Sequence, residues 1–445
     1  MIKRILILIL LIILNINNTI SLIFDNFSVD LSVRYRFEYW NGMNAKNYGD
    51  DSPTAIGNIN DKIIFQRFIA GITFKERENL KFSLHFQDSR AFGWSLQESK
   101  YPDLFKIRKK GTTEPYYIMN PNEEYFEIYD ANVEIDSIIK NLSLKFGRQK
   151  IFYGDFRIFG PGDWGNTGRW TWDALKASYK FDDNFIDVWA GGTKIHDPYK
   201  ISFPFTNTEF YGVGMYSHFT VSKSISVEPF YAFKKNGSAD YIKDLDINRH
   251  WIGARFVDSN IYNFDYDLTY SREFGSDTGK TISAYGLFAR LGYKFNFLPM
   301  QPLLSFRFTY ASGGKKNDDK IYTFEPAFGA QDKFYGWMNI VTWSNLDDRE
   351  IVLELFPLKN LWIELKYNAF FIPEPKDTKI LGTIQLVDNK SNLGSEIDLF
   401  LRYTLSRNWQ FVFVAGVFFP GDIKPINQKP LKTAFWLAGQ IIYSI

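Results

Sequence analysis

Residues 147–179 bring arginines and tryptophans together in one segment that is rich in glycine. Arg157 and Arg169 each carry a planar guanidinium group that can bind a carboxylate through two parallel hydrogen bonds. Trp164 and Trp170 present flat aromatic faces on which a ring-shaped ligand can stack. The chemistry that these residue types predict is noncovalent recognition of an anion.

The same segment holds glycines at positions that favour a tight fold, because glycine adopts positive φ angles without strain. They are Gly154, Gly160, Gly162, Gly165 and Gly168. We therefore expect the segment to leave its flanking strands and to fold inwards as a loop. An alternative stays open, in which pairs such as Arg157 and Asp163 only hold the loop in shape. Under either interpretation the loop narrows the space that it enters.

The segments around this loop alternate between apolar and polar residues with a period of two, which indicates β-strands. In residues 27–40 the odd positions are apolar and most even positions are charged or polar. The alternation recurs in residues 80–87, 264–270, 285–295 and 396–405. Soluble sheets with one wet face share this pattern. Strands of about ten residues or more, with no helical segments between them, favour a membrane barrel instead.

Connections between these strands alternate between short turns and long loops, which is typical of an outer-membrane barrel. Counting the hairpins predicts an all-β fold, a transmembrane antiparallel up-and-down β-barrel of about 18 strands, formed by residues 22–445 as a single domain. The even number requires residues 337–345 and 350–356 to belong to one strand, or to a loop and its strand. Both chain ends then lie with the short turns on the periplasmic side.

Residues 1–21 have the pattern of a secretory signal peptide. Lys3 and Arg4 precede an apolar run at residues 5–14, and residues 19–21 provide small side chains for cleavage after Ser21. The run is too short to span a bilayer, although an uncleaved anchor is the alternative. No later run is long enough for a helical span. We therefore expect export through a cleaved signal peptide and localisation in a Gram-negative outer membrane.

Residues 147–179 also resemble the alginate-export family of outer-membrane porins. The matching segments read Gly147-Arg148-Gln149, Tyr153-Gly154-Asp155-Phe156-Arg157, Trp164-Gly165-Asn166-Thr167-Gly168-Arg169 and Trp172-Asp173-Ala174. Residues 394–398 and 418–421 resemble further stretches of the family. The resemblance implies a monomeric channel of about eighteen strands with an arginine-rich constriction that passes an anionic uronate polysaccharide.

We expect eight arginines to form a constriction that binds anions. They are Arg34, Arg36, Arg67, Arg148, Arg157, Arg169, Arg290 and Arg307. A second set is expected to shape the loop and carry the motif: Gly147, Gln149, Gly154, Asp155, Trp164, Asn166 and Asp173. Basic and acidic side chains on the predicted inner face are about equal in number. Pairing of these charges across neighbouring strands is therefore the alternative for any single arginine.

The predicted function is passive diffusion or export of anionic solutes, including an acidic polysaccharide, through the outer membrane. The expected partners are outer-membrane lipids, the anionic solute and a periplasmic export machinery, and nucleic acid is not among them. A general or substrate-specific uptake porin for small organic acids or sugars is the alternative, followed by a barrel enzyme and a closed structural barrel. We expect no enzyme activity and no cofactor. We expect no metal site, because the four histidines lack ligand spacing.

Overall fold

The computed structural model describes most of the chain beyond the predicted signal peptide, which lies outside the described residues. The described residues are 26–44, 57–77, 79–97, 99–101, 106–108, 115–118, 120–238, 246–315, 319–330, 334–375, 379–380, 384–386, 390–425 and 432–445. Within these ranges, no helix is long and apolar enough to cross a membrane.

Eighteen antiparallel strands form one closed barrel. They are β1 (Phe27–Asn41), β2 (Lys62–Arg77), β3 (Leu80–Phe92), β4 (Glu124–Ile139), β5 (Leu142–Lys150), β6 (Thr171–Phe181), β7 (Asn184–Lys194), β8 (Thr208–Thr220), β9 (Ile225–Asn236), β10 (Ile247–Ile261), β11 (Phe264–Asp277), β12 (Lys280–Lys294), β13 (Leu303–Ala311), β14 (Leu346–Leu358), β15 (Leu361–Phe371), β16 (Asn392–Thr404), β17 (Trp409–Pro420) and β18 (Ala434–Ser444). Each strand pairs with the next in the chain, and β18 pairs with β1. The predicted up-and-down barrel of 18 strands is confirmed.

Five short strands lie in the long connections outside the barrel wall. Lys106–Arg108 pairs with Pro115–Ile118 between β3 and β4. Lys379–Ile380, Ile384–Leu386 and Ile423–Pro425 form a three-stranded sheet that joins the β15–β16 and β17–β18 connections.

The period-two pattern of the sequence decides which side chains face outwards. On β1, Tyr35 and Phe37 are exposed on the outer surface, while Arg34 and Arg36 point inwards and are buried. This distribution is the reverse of that in a soluble protein, and it suits a wall with lipid outside and a polar interior.

The connections obey the predicted alternation, with one exception. Residues 312–345 form one long connection between β13 and β14, so residues 337–345 belong to a loop and residues 350–356 to β14. The even number of strands therefore holds. The exception is the connection of residues 278–279 between β11 and β12, which is short although it lies at the long-loop end.

Two of the long connections fold into the barrel and join each other there. We call residues 151–170 the constriction loop and the described part of residues 312–345 the second inward loop. The amide of Gly160 donates to the carbonyl of Phe328 at 2.9 Å, and the amide of Phe328 donates to the carbonyl of Ile158 at 3.0 Å. These backbone bonds make the two loops one packed unit inside the wall.

Candidate pore constriction

The constriction loop crosses the interior and binds the wall at β1 and β2. The Arg34 guanidinium donates to the carbonyl oxygens of Asp163 at 2.8 Å and Gly165 at 2.9 Å, and to the side-chain oxygen of Asn166 at 3.1 Å. Arg67 donates to the same Asp163 carbonyl at 3.3 Å. The tip of the loop is therefore held by two arginines that the sequence analysis places at the constriction.

Asn166 and glycine give the loop its local shape. The Asn166 amide group donates to the carbonyl oxygens of Asn122 at 2.8 Å and Arg90 at 3.1 Å, which fixes the loop against β3 and the chain before β4. Gly154 has a φ of 57°, and a Cβ atom there would lie 2.7 Å from the Tyr216 hydroxyl. Only glycine fits this close approach without strain.

Trp164 of the constriction loop and Trp337 of the second inward loop form an aromatic pair near the middle of the interior. Their ring centroids lie 5.0 Å apart at an interplanar angle of 67°. Both side chains line a cavity of about 300 Å³ and also a second cavity of about 230 Å³. The pair therefore stands between the two cavities. Trp337 also stacks on Phe400 at 5.1 Å.

The larger cavity, which we call the lower cavity, lies towards the short-turn end. Its lining includes Arg402 and Ile442, each two residues before the end of its strand at the short turns. The smaller one, which we call the upper cavity, is lined by residues of the long β3–β4 connection, among them Trp94 and Asn122. The two cavities therefore lie at different heights in the barrel interior.

Three guanidinium groups line the lower cavity: those of Arg34, Arg67 and Arg402. Among the described residues, none of the three forms an ion pair with a carboxylate. Arg34 and Arg67 bind loop carbonyls instead, and Arg402 lies over the Trp362 ring at 4.7 Å. Positive charge is thus left uncompensated around this cavity.

Asp163 is the single acidic side chain in the described lining of the lower cavity. Its carboxylate lies 2.7 Å from the Lys150 ammonium. Enclosure favours the neutral acid, but the charges of Lys150, Arg67 and Arg34 outweigh that effect and hold the pKa of Asp163 below its ordinary value. The carboxylate is therefore ionised and already neutralised by a lysine.

Several N–H donors at the lower cavity have no acceptor. The Nε atom of Arg34 and the indole nitrogens of Trp337 and Trp362 are buried and make no hydrogen bond to a described residue. A buried donor without a partner is costly. These three donors are therefore unsatisfied within the described part of the chain.

The upper cavity has compensated charge. Arg36 forms an ion pair with Glu38 at 2.8 Å and lies over the Trp164 ring at 4.6 Å. The indoles of Trp40 and Trp436 donate to the Glu38 carboxylate at 3.1 Å and 3.3 Å. This cavity is lined by aromatic rings and its described charges are paired, so the two cavities differ in the charge of their linings.

Arg148 does not reach the interior. It occupies an outward-facing position on β5, is fully buried, and pairs with Asp173 at 2.8 Å and Glu127 at 3.1 Å. The neighbouring motif residues support this wall: a Cβ atom on Gly147 would lie 2.3 Å from the Ala131 carbonyl. The Gln149 side chain donates to the Ala174 carbonyl at 3.1 Å.

Arg157 lies between the two inward loops and not at an open surface. It pairs with Asp155 of its own loop at 2.7 Å, and its guanidinium carbon lies 3.7 Å from the centroid of the Phe288 ring of β12 and 4.5 Å from that of the Phe334 ring of the second inward loop. The pairing with Asp163 considered from the sequence is not formed, because Lys150 takes that carboxylate. Arg157 thus holds the loops together.

The remaining predicted arginines have carboxylate partners in the interior. Arg169 pairs with Glu209 at 3.1 Å and is partly exposed. Arg307 pairs with Glu354 at 3.1 Å, and Arg290 pairs with an aspartate of β11. The pairs of Arg290 and Arg307 follow the cross-strand alternative, whereas that of Arg169 joins the constriction loop to β8. No group of three or more His, Cys, Asp or Glu side chains suited to a metal ion occurs within the described ranges.

Three further side chains line the lower cavity although no sequence motif marks them: Arg402, Trp337 and Trp362. The alternation of β16 predicts an inward Arg402, but no motif distinguishes it from other inward charges. Trp337 lies in a long loop, where residue spacing predicts no direction for a side chain.

Comparison with known proteins agrees with this architecture. OccAB2 of Acinetobacter baumannii is 14% identical, with a TM-score of 0.60 over 95% of this chain and 98% of its own. OpdO of Pseudomonas aeruginosa is 9% identical, with a TM-score of 0.60 over 95% and 97%. OpdK of Pseudomonas aeruginosa, crystallised with vanillate, is 10% identical, with a TM-score of 0.56 over 94% and 98%. At such identities the likeness shows the fold alone.

No curated protein matches the sequence. A family model described as alginate export matches residues 26–429, which is most of the chain. The fold, the family and the structural neighbours agree on an outer-membrane channel. The chain belongs to the alginate export family.

Proposed function

We propose that this channel passes anionic solutes, among them acidic oligosaccharides of the uronate type, by passive diffusion. The observation that carries the proposal is the set of guanidinium groups of Arg34, Arg67 and Arg402 around the lower cavity, none of them paired with a described carboxylate. Charged side chains that line a pore select ions by sign. The family and the barrel fold support a channel rather than an enzyme.

The aromatic lining supports a solute that carries a ring. Trp164, Trp337 and Trp362 line the same cavity as the arginines. A sugar acid or an aromatic acid places its carboxylate at the guanidinium groups while its ring lies against an indole face. The buried indole donors of Trp337 and Trp362 are suited to hydroxyl groups on such a ring.

A second candidate is uptake of small organic acids. The lower cavity has a volume of about 300 Å³, which is at the small end of ligand sites and holds one ring acid at a time. A structural neighbour, OpdK, was crystallised with vanillate. Both candidates use the same arginines and differ in the length of the solute.

Flux into liposomes tests the proposal. We expect wild-type protein to pass glucuronate faster than glucose, a neutral sugar of similar size. The advantage should disappear in the double variant Arg67→Gln, Arg402→Gln. Arg349→Gln is the matched control, because Arg349 is an exposed arginine on the outward face of β14. Glucose passing as fast as glucuronate through the wild type would contradict the proposal.

The same assay separates the two candidates. Uronate oligomers of increasing length are offered to the wild-type channel. Flux that persists for oligomers supports the oligosaccharide channel, whereas flux confined to the monomer supports uptake of small acids.

A further inference from the structure

Residues 195–207, which connect β7 to β8, lie against the outside of the barrel wall. We call them the outer strap. The Phe205 ring stacks on the Phe146 ring of β5, with centroids 4.8 Å apart and an interplanar angle of 16°. Phe146 is on the outward face of its strand and is 53% exposed. The strap therefore descends along the face of the wall that lipid surrounds.

One side of the strap covers buried charges. The Ser202 amide donates to the Glu127 carboxylate at 3.0 Å, and the Phe205 amide donates to the Asp173 carboxylate at 2.9 Å. Arg148 donates to the carbonyl and the hydroxyl of Ser202. Charged side chains that face lipid destabilise a barrel. Because the strap shields these charges from lipid, it is a fixed part of the wall.

The other side of the strap is apolar and exposed. Four of its large apolar side chains are exposed, and one of them, Phe205, also stacks on Phe146 at the wall. Their exposed fractions are Tyr199 62%, Ile201 44%, Phe203 62% and Phe205 48%. A row of four large apolar side chains is unsuited to water but suited to hydrocarbon.

A groove continues this apolar surface along the wall. It has a volume of about 480 Å³, and apolar side chains make up most of its lining, including Ile72, Phe74, Phe82, Leu84, Phe146 and Phe205. Lys200 stands beside the apolar row, where its side chain is 65% exposed and pairs with Asp197 at 3.8 Å. A lysine next to aromatic residues is typical of the boundary between hydrocarbon and headgroups.

We propose that the outer strap is a lipid-binding element, in which the groove holds an acyl chain of a membrane lipid against Phe205 and Phe146. Phe203 extends into the same hydrocarbon region, and Lys200 lies at its boundary with the headgroups. The groove is continuous with the lipid-facing wall, which favours a lipid over a second copy of this chain as the occupant.

Site-directed spin labelling tests this assignment, because the chain has no cysteine and a single introduced one is labelled uniquely. Phe203→Cys is compared in lipid nanodiscs with two controls. Leu268→Cys reports the lipid-facing wall, and Lys320→Cys reports a water-exposed position at the start of the second inward loop. Folding of each variant is checked by the slower migration of the heated protein on a detergent gel. We expect the label at residue 203 to collide with dissolved oxygen in preference to a water-soluble nickel complex, as the label at residue 268 does.

Two outcomes would overturn the proposal. A label at residue 203 that prefers the nickel complex, as at residue 320, places the strap in water. Dipolar broadening between labels on neighbouring molecules identifies a second copy as the occupant. Native mass spectrometry gives an independent readout: Phe203→Ser, Phe205→Ser should retain fewer lipid molecules than the wild type, and equal retention would contradict the proposal.

Discussion

Arg34 and Arg67 stand directly opposite each other on β1 and β2, and both donate to the main-chain carbonyl of Asp163. Like charges at opposed positions of a sheet repel each other. The constriction loop reduces this repulsion by placing a main-chain carbonyl oxygen against the two guanidinium groups. A carboxylate in that place would neutralise their positive charge, whereas a carbonyl does not. The arginines thus position the loop and still keep a net positive charge for a passing anion.

Loss of Arg34 should release the tip of the loop. Arg34→Ala removes hydrogen bonds to Asp163, Gly165 and Asn166. Hydrogen bonds to a charged group contribute about 1.5–3 kcal/mol. Losing that amount corresponds to a roughly ten- to hundredfold larger population of the conformation in which the loop tip is released. We expect higher and noisier single-channel conductance, whereas Arg349→Ala should leave the recording unchanged. If Arg34→Ala has the conductance and the current noise of the wild type, Arg34 does not hold the loop.

Loss of Trp337 should join the two cavities. Trp337→Ala removes the ring that stands with Trp164 between spaces of about 300 Å³ and about 230 Å³. We expect larger conductance and passage of bulkier solutes in a size-exclusion flux assay. Trp409→Ala is the control, because Trp409 begins β17 at the short-turn end and packs on Tyr443. Unchanged solute exclusion in Trp337→Ala would show that the Trp164–Trp337 pair is not the barrier to bulky solutes.

Asp163→Asn should increase the preference for anions, since it removes the single carboxylate in the described lining of the lower cavity. Because the pKa of Asp163 is lowered, the carboxylate stays ionised when pH falls from neutral to about 5. Titration of Asp163 should therefore not change the ion selectivity of the wild type over that pH interval. The measurement is the reversal potential of each protein at both pH values. A variant with the same or a weaker anion preference would show that Asp163 does not act on the permeating ion.

Arg148 should matter for stability and not for selectivity. Arg148→Met leaves Glu127 and Asp173 buried without their partner, which costs about 3–5 kcal/mol in ion pairs of this kind. We expect a lower urea midpoint for unfolding, and Arg148→Met, Asp173→Asn should recover part of the loss. Reversal potentials should match the wild type. A changed selectivity in the single variant would show that Arg148 acts on the permeating ion.

The fold follows from the sequence because alternation and loop length are local properties of each segment. The inward course of the constriction loop also follows, since glycine and asparagine are placed where close approach requires them. The partners of the arginines do not follow. Arg148 and Arg34 both lie on strands. The outer strap, which belongs to a distant connection, covers Arg148, whereas Arg34 binds the tip of the constriction loop. Such contacts depend on the packing of connections, which period-two patterns do not describe.

Anion selection by the lower cavity is tested most directly by the reversal potential of the wild type and of Arg67→Gln, Arg402→Gln in planar bilayers under a potassium chloride gradient. We expect the wild type to prefer chloride and the double variant to lose most of this preference, while Arg349→Gln keeps it. A wild-type channel that prefers potassium, or a preference for chloride that survives in the double variant, would show that these arginines do not select anions.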